Sequence, residues 1–267
     1  ENIGSIAPGK LANIAIIDNL KNIEVTDVFV GGKRILKEGK LIEKINGKSY
    51  PIERINTVKL KQAPSLSDFR IMCDKNEALL NVMAYDKNVP IITRIEQAKI
   101  KTKDGYIDIS DDESLAALTV FERHGKNGNK KSCVVKNLGL NKGAIASTVS
   151  HDCHNLIVLG KNENDMLLAA KKLEECGGGI VCVIDGKIEA LIELPIAGLL
   201  SPKPVEELAP KTALLKEKMR AMGMLSSCLL LQIATLALPV IPEVRLSDMG
   251  LVDVNSKRII PIVLENQ

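Results

Sequence analysis

The run Gly143-Ala144-Ile145-Ala146-Ser147-Thr148-Val149-Ser150-His151-Asp152-Cys153-His154-Asn155-Leu156-Ile157-Val158-Leu159-Gly160 joins two kinds of chemistry. Small and branched apolar residues on either side predict two buried β strands, the second ending at Gly160. Between them a hydroxyl, an acid, a thiol, an amide and two imidazoles occupy consecutive positions, residues 150–155. Two of the three histidines of the 267-residue chain are there. Rigid strands that hold a short polar segment are a common way to build a site. The competing reading is a polar turn that satisfies only its own backbone.

The length allows one large domain or two ordinary ones. A chain that is 45% hydrophobic and 26% charged fits a soluble globular class. Aromatics make up 2%, with no Trp, so the core must be aliphatic, with Met and Ala. That shortage, a net charge of +3 and dispersed lysines argue against a nucleic-acid groove. The six cysteines form no CxxC pair and read as reduced thiols of a cytoplasmic protein. No signal peptide is visible, and the longest apolar stretch, residues 228–241, is interrupted by Gln232, Thr235 and Pro239. No membrane partner is expected. Glu1 is not an initiator Met and a strand-like pattern follows almost at once, so the expectation is part of a longer polypeptide.

Three short strands are predicted at the start, around residues 12–18, 25–30 and 33–36, separated by glycine turns. Alone they bury little and need a partner. Residues 44–67 read as a connection. Strands follow at 69–73, 78–84 and 91–101. Ser110-x-x-Glu113 matches a capping box, and Leu115, Leu118 and Phe121 or Glu122 recur at helical spacing, which predicts a helix with His124 in its last turn. Next come a strand near 133–136, the opening run, and a helix capped by Asn162 or Asn164. That helix stops at Gly177-Gly178-Gly179, read as a stop and tight turn rather than a phosphate loop. A hairpin turns at Asp185-Gly186. An apolar turn at 194–201 leads to a helix carrying Leu215, Met219 and Met222, then a buried helix over 228–237 and closing strands. The fold class is α/β or α+β, divided into residues 1–60 and 61–267.

Two resemblances add to this. Gly4-Ser5-Ile6-x-x-Gly9-Lys10-x-Ala12-Asn13-Ile14-x-x-x-Asp18 with Val28-x-Val30-x-Gly32-Lys33 resembles the closing β segment of the amidohydrolase superfamily, with Asn13 where Asp is usual. Glu122-Arg123-His124-Gly125, the Gly143–Asn155 run, Gly177-Gly178-Gly179, Leu194-Pro195-Ile196-Ala197-Gly198-Leu199 and Leu238-Pro239-x-Ile241-Pro242 follow in order. Together they resemble the C-terminal domain of bacterial and archaeal adenine deaminases, with Cys153 where Ser is expected. The resemblance implies a short β-sandwich segment, then a mixed α/β domain. The metal-binding (β/α)8 barrel is expected to be absent from this chain and supplied by the same polypeptide.

The implied reaction is hydrolysis of adenine to hypoxanthine and ammonia in purine salvage. A divalent metal, Mn or Fe, is implied for the intact enzyme and none for this chain, which is expected to be inactive alone. His151, Asp152 and His154 are the catalytic candidates. Ser150, Asn155 and His124 are the substrate-binding candidates. A metal site in residues 151–154 is disfavoured, because adjacent loop residues rarely converge on one ion without distant partners. A homo-oligomer is expected. Two alternatives stay open: a non-catalytic oligomerisation or regulatory module, and part of an amidohydrolase acting on another cyclic amidine or amide.

Overall fold

The computed structural model describes residues 2–43, 50–86, 89 and 91–264. The chain divides into two compact units, Glu1–Ser49 and Tyr50–Gln267.

In the first unit, β1 (Ile14–Ile17), β2 (Val25–Val30), β3 (Lys33–Lys37) and β4 (Lys40–Leu41) form an antiparallel sheet in sequence order. Gly31 and Gly32 both take positive φ, as a two-residue hairpin turn requires. No described residue of this sheet is buried, and Ile6 and Leu20 are 89% and 86% exposed. The predicted connection lies partly at residues 44–49, outside the described residues. From Tyr50 the chain belongs to the second unit: Ile55 bridges Ile196, and Lys59 pairs with His124.

The second unit is built on one large sheet. Its strands are β5 (Glu77–Tyr85), β6 (Thr93–Lys103), β7 (Tyr106–Ile107), β8 (Leu115–Phe121), β9 (Lys130–Lys136), β10 (Ala144–Ser147), β11 (Leu156–Gly160), β12 (Gly179–Ile184) and β13 (Lys187–Glu193). Their spatial order is β13-β12-β10-β11-β8-β9-β5-β6-β7. Only the β5–β9 neighbours run parallel.

Helix α1 (Glu163–Glu175) covers one face of this sheet. Its cap is Asn162, whose side chain accepts from Asp165 N, as the sequence predicts. Ala146, Val158 and Val181 point towards its Met166, Ala170 and Leu173. The alternating partners Ile145, Ile157 and Cys182 point the other way. There they meet Leu215 and Met219 of α2 (Val205–Ala221) and Ile233 of α3 (Leu229–Ala234). A small sheet of β14 (Val244–Ser247), β15 (Gly250–Asp253) and β16 (Arg258–Ile260) packs on that face, and β17 (Val263–Leu264) adds to β5. Because both faces are covered, the central strands are nearly continuous apolar runs, broken only by the buried hydroxyls of Thr119 in β8 and Ser147 in β10. Deleting one of these anchors, such as Leu173→Ala, costs about 2–5 kcal/mol. The architecture is mixed α and β, with several sheets and few helices.

Three expectations are corrected. The predicted helix after Ser110 is β8, a strand paired on both sides, with β9 and β11. Leu115, Leu118 and Phe121 fit helical spacing, but the residues between them are also apolar except Thr119, and the run is buried on both faces of the sheet. Asp112 caps a turn instead, accepting from Ser114 N and Oγ at 2.8 and 2.6 Å. The strand expected at 69–73 is a 3-10 turn, Leu66–Phe69, with only Met72 bridging Tyr106. The helix expected over 228–237 shortens to α3. Among the described residues no helix is long and apolar enough to cross a membrane.

Candidate functional site

Residues 148–155 connect β10 to β11, and their placement follows from register. Leu156 of β11 pairs with Phe121 of β8. Continued past the paired ends, that antiparallel register sets Arg123 opposite His154 and His124 opposite Cys153. The hydrogen bonds follow this geometry. Arg123 Nε donates to the His154 carbonyl, and His124 Nε2 donates to the Cys153 carbonyl at 2.9 Å. His124 is thus not in a helix turn, as predicted, but tied to the polar loop.

The loop backbone is held at further points. His151 N donates to the Ala234 carbonyl of α3 at 3.0 Å, and His154 N to the Ser150 carbonyl at 2.6 Å. Buried Thr148 accepts from Gly179 N at 2.8 Å and donates to the Gly198 carbonyl at 2.6 Å. Asn155 Nδ2 donates to Asp248 Oδ1 at 3.1 Å, and Asn129 Nδ2 to Asp248 Oδ2 at 3.2 Å.

The six sequence-predicted residues therefore come together, in two groups. His151 and Asp152 are exposed and His154 is half-buried. The rings of His151 and His154 lie 6.0 Å apart. Ser150 and Asn155 are buried; Ser150 Oγ lies 3.8 Å from Cys153 Sγ, and Asn155 serves as an anchor. All three histidines of the chain meet at this one loop. His154 Nδ1 and Asn155 Oδ1 are buried without hydrogen-bond partners.

Electrostatics divide the site. Burial first, then the positive Arg123 and His151, push the His154 imidazole below the ordinary histidine value, against the opposing pull of Asp152. Burial raises the affinity of the Glu122 carboxyl for its proton, but four backbone N–H donors outweigh that and hold it below the ordinary value. Those donors are His124, Lys126, Asn127 and Gly128, at 2.5 to 3.2 Å. Burial likewise lowers the pKa of the Arg123 guanidinium.

Sequence reasoning quoted Glu122 and Arg123 within a motif but gave them no role, and it missed Asp248 and Thr148. The charged pair at the end of an apolar run was the available signal for Glu122 and Arg123. Asp248 lies in the turn between β14 and β15, 93 residues from Asn155, with no local signal.

The donor set does not suit a metal ion. His124 Nε2 is committed to a carbonyl, and among the described residues no three His, Cys, Asp or Glu side chains are grouped to hold one.

A family model described as the adenine deaminase C-terminal domain matches residues 90–258. An adenine deaminase of Clostridium botulinum (strain Langeland) is 36% identical over 263 residues, covering 98% of this chain and 44% of that protein. Adenine deaminases of Moorella thermoacetica and Dehalococcoides mccartyi (strain CBDB1) are 35% and 34% identical, again with 44% of their length matched. The chain thus spans less than half the length of these relatives.

Proposed function

The chain belongs to the adenine deaminase C-terminal domain family, and from that premise we propose that it is the C-terminal portion of an adenine deaminase that converts adenine and water to hypoxanthine and ammonia. The observation that carries a role for this portion is the convergence of all three histidines on the loop at residues 150–155. That loop is clamped through its backbone while His151 and Asp152 stand free. Exposed side chains gain nothing in stability from so many anchors, whereas a binding or proton-transfer group needs them.

His151, Asp152 and His154 face the substrate in this reading, offering donors and acceptors to an adenine edge or carrying protons. Ser150, Asn155 and His124 hold the loop in place. The first unit, with no buried residue among those described, suits a β segment that completes a sandwich with further chain. The divalent metal implied for the intact enzyme belongs to the barrel and not to these residues. We place the enzyme in the cytoplasm, in purine salvage, as a homo-oligomer.

The test is adenine turnover by the full polypeptide that carries this segment. His151→Ala, Asp152→Asn and His154→Ala are each expected to lower kcat/KM by about 100-fold if the loop moves protons, and by less if it only binds. Unchanged kcat/KM in all three would make the domain a non-catalytic oligomerisation or regulatory module. A preference for another cyclic amidine or amide over adenine would move the substrate class and leave the loop's role standing.

A further inference from the structure

Arg123 shares with Arg245 the place of largest fully buried side chain among the described residues, and no carboxylate among them neutralises it. Its Nε binds the His154 carbonyl, its Nη2 the Ala197 carbonyl at 3.0 Å and its Nη1 the Thr57 hydroxyl at 3.3 Å. Gly198 leaves the room: a Cβ there would lie 2.8 Å from both terminal nitrogens. Burying a guanidinium without a countercharge is costly, and a fork satisfied by neutral acceptors, here two carbonyls and a hydroxyl, fixes geometry rather than gaining ion-pair energy.

What the fork fixes is His154. That residue sits at φ +50°, its Nδ1 is buried and unpartnered, and Nε2 makes no hydrogen bond among the described residues and keeps contact with solvent. A proton on Nδ1 would be a buried donor with no acceptor, so the geometry favours the proton on Nε2. The charged and titratable groups around the ring are Arg123 and His124 from the segment after β8, and His151, Asp152 and Cys153 from the loop. Asp248, from the β14–β15 turn, acts through Asn155. The α3 and 194–200 segments contribute only backbone carbonyls to the clamp, those of Ala234, Ala197 and, through Thr148, Gly198.

We propose that Arg123 is a positioning residue: it grips the His154 carbonyl so that the imidazole is presented uncharged, with its proton on Nε2, as a fixed hydrogen-bond donor to a neutral acceptor such as a heterocyclic ring nitrogen. The choice of acceptor rests on the substrate-facing reading of the loop; the tautomer and its dependence on Arg123 do not. Loss of the fork lets the ring leave its buried seat and take up a proton more readily.

Long-range proton–nitrogen NMR of this chain tests the first half, since three histidines are assigned by three single Gln variants. In the wild type His154 is expected to carry its neutral proton on Nε2 and to titrate below the ordinary histidine value. Arg123→Met raises that midpoint. Arg123→Lys, which keeps the charge and is the milder change for folding, mixes the tautomers. A neutral proton on Nδ1, or a His154 spectrum unmoved in both variants, overturns the proposal. In the full polypeptide Arg123→Lys is expected to lower kcat/KM for adenine about 10- to 100-fold, and to add nothing when His154 is already Ala. An equal loss on both backgrounds means that Arg123 acts through something other than His154. If the wild-type polypeptide leaves adenine untouched, the deaminase reading fails, and the NMR result still decides the proposal.

Discussion

Asn155 donates its side-chain amide to Asp248 Oδ1 at 3.1 Å, so the last residue of the polar loop is anchored on a turn 93 residues away. The second oxygen of Asp248 holds Asn129, beside the start of β9. One carboxylate thus ties the loop, the β8–β9 connection and the small sheet together.

Asp248→Ala removes the acceptor for two amides and is expected to cost about 2 kcal/mol. In a unit of this size that lowers Tm by several degrees. A double-mutant cycle with Asn155→Ala isolates the pair, with a coupling of about 1 kcal/mol expected. Additivity of the two single effects would show that the bond contributes nothing.

Glu122 tests the β8–β9 connection. Its carboxylate takes four backbone N–H groups, which hold it below the ordinary carboxyl value despite burial. Because the folded state binds the proton more weakly than the unfolded chain, this stabilisation is full above the ordinary value. It is lost as pH falls through the lowered one. Glu122→Gln is expected to destabilise by about 2 kcal/mol at neutral pH, with the gap to wild type closing in acid. Urea unfolding across pH measures it, and a pH-independent gap contradicts it.

Thr148→Val keeps shape and removes the hydroxyl that bridges Gly179 N and the Gly198 carbonyl. The two buried backbone groups lose their shared partner, and a loss of about 1–3 kcal/mol is expected from chemical denaturation. A neutral result would mean that water replaces the hydroxyl.

Gly179→Ala is the severe case. Gly179 sits at φ +152°, and an added Cβ would lie 2.1 Å from the Ile192 carbonyl across the β12–β13 pair. About 3 kcal/mol or more is expected to be lost. Expression as a stable protein with wild-type Tm would refute the close approach.

Cys153→Ser is the mild case. The thiol is exposed and makes only long contacts, 3.8 Å to Ser150 Oγ and 4.0 Å to the Ala237 carbonyl. Stability is expected to change by less than about 0.5 kcal/mol; a larger shift in Tm would show that Cys153 is a working contact.

Local chemistry determined much of this protein. Strand pairs show in the apolar runs on either side of residues 150–155. Asn162 starts α1, and Asp185-Gly186, both at positive φ, turns the β12–β13 hairpin. The polar loop itself is visible because no other stretch concentrates so many reactive groups. These features are encoded within a few residues of each other, so sequence spacing suffices.

Tertiary structure alone decided that residues 115–121 are a strand, since Leu115, Leu118 and Phe121 keep helical spacing inside a nearly continuous apolar run that a strand buried on both faces also shows, and only neighbours on both edges choose between them. It alone set the register of β8 against β11, and with it the meetings of Arg123 with His154 and His124 with Cys153. Register is a property of two paired strands, fixed by which faces are buried together, and no periodicity within either strand contains it.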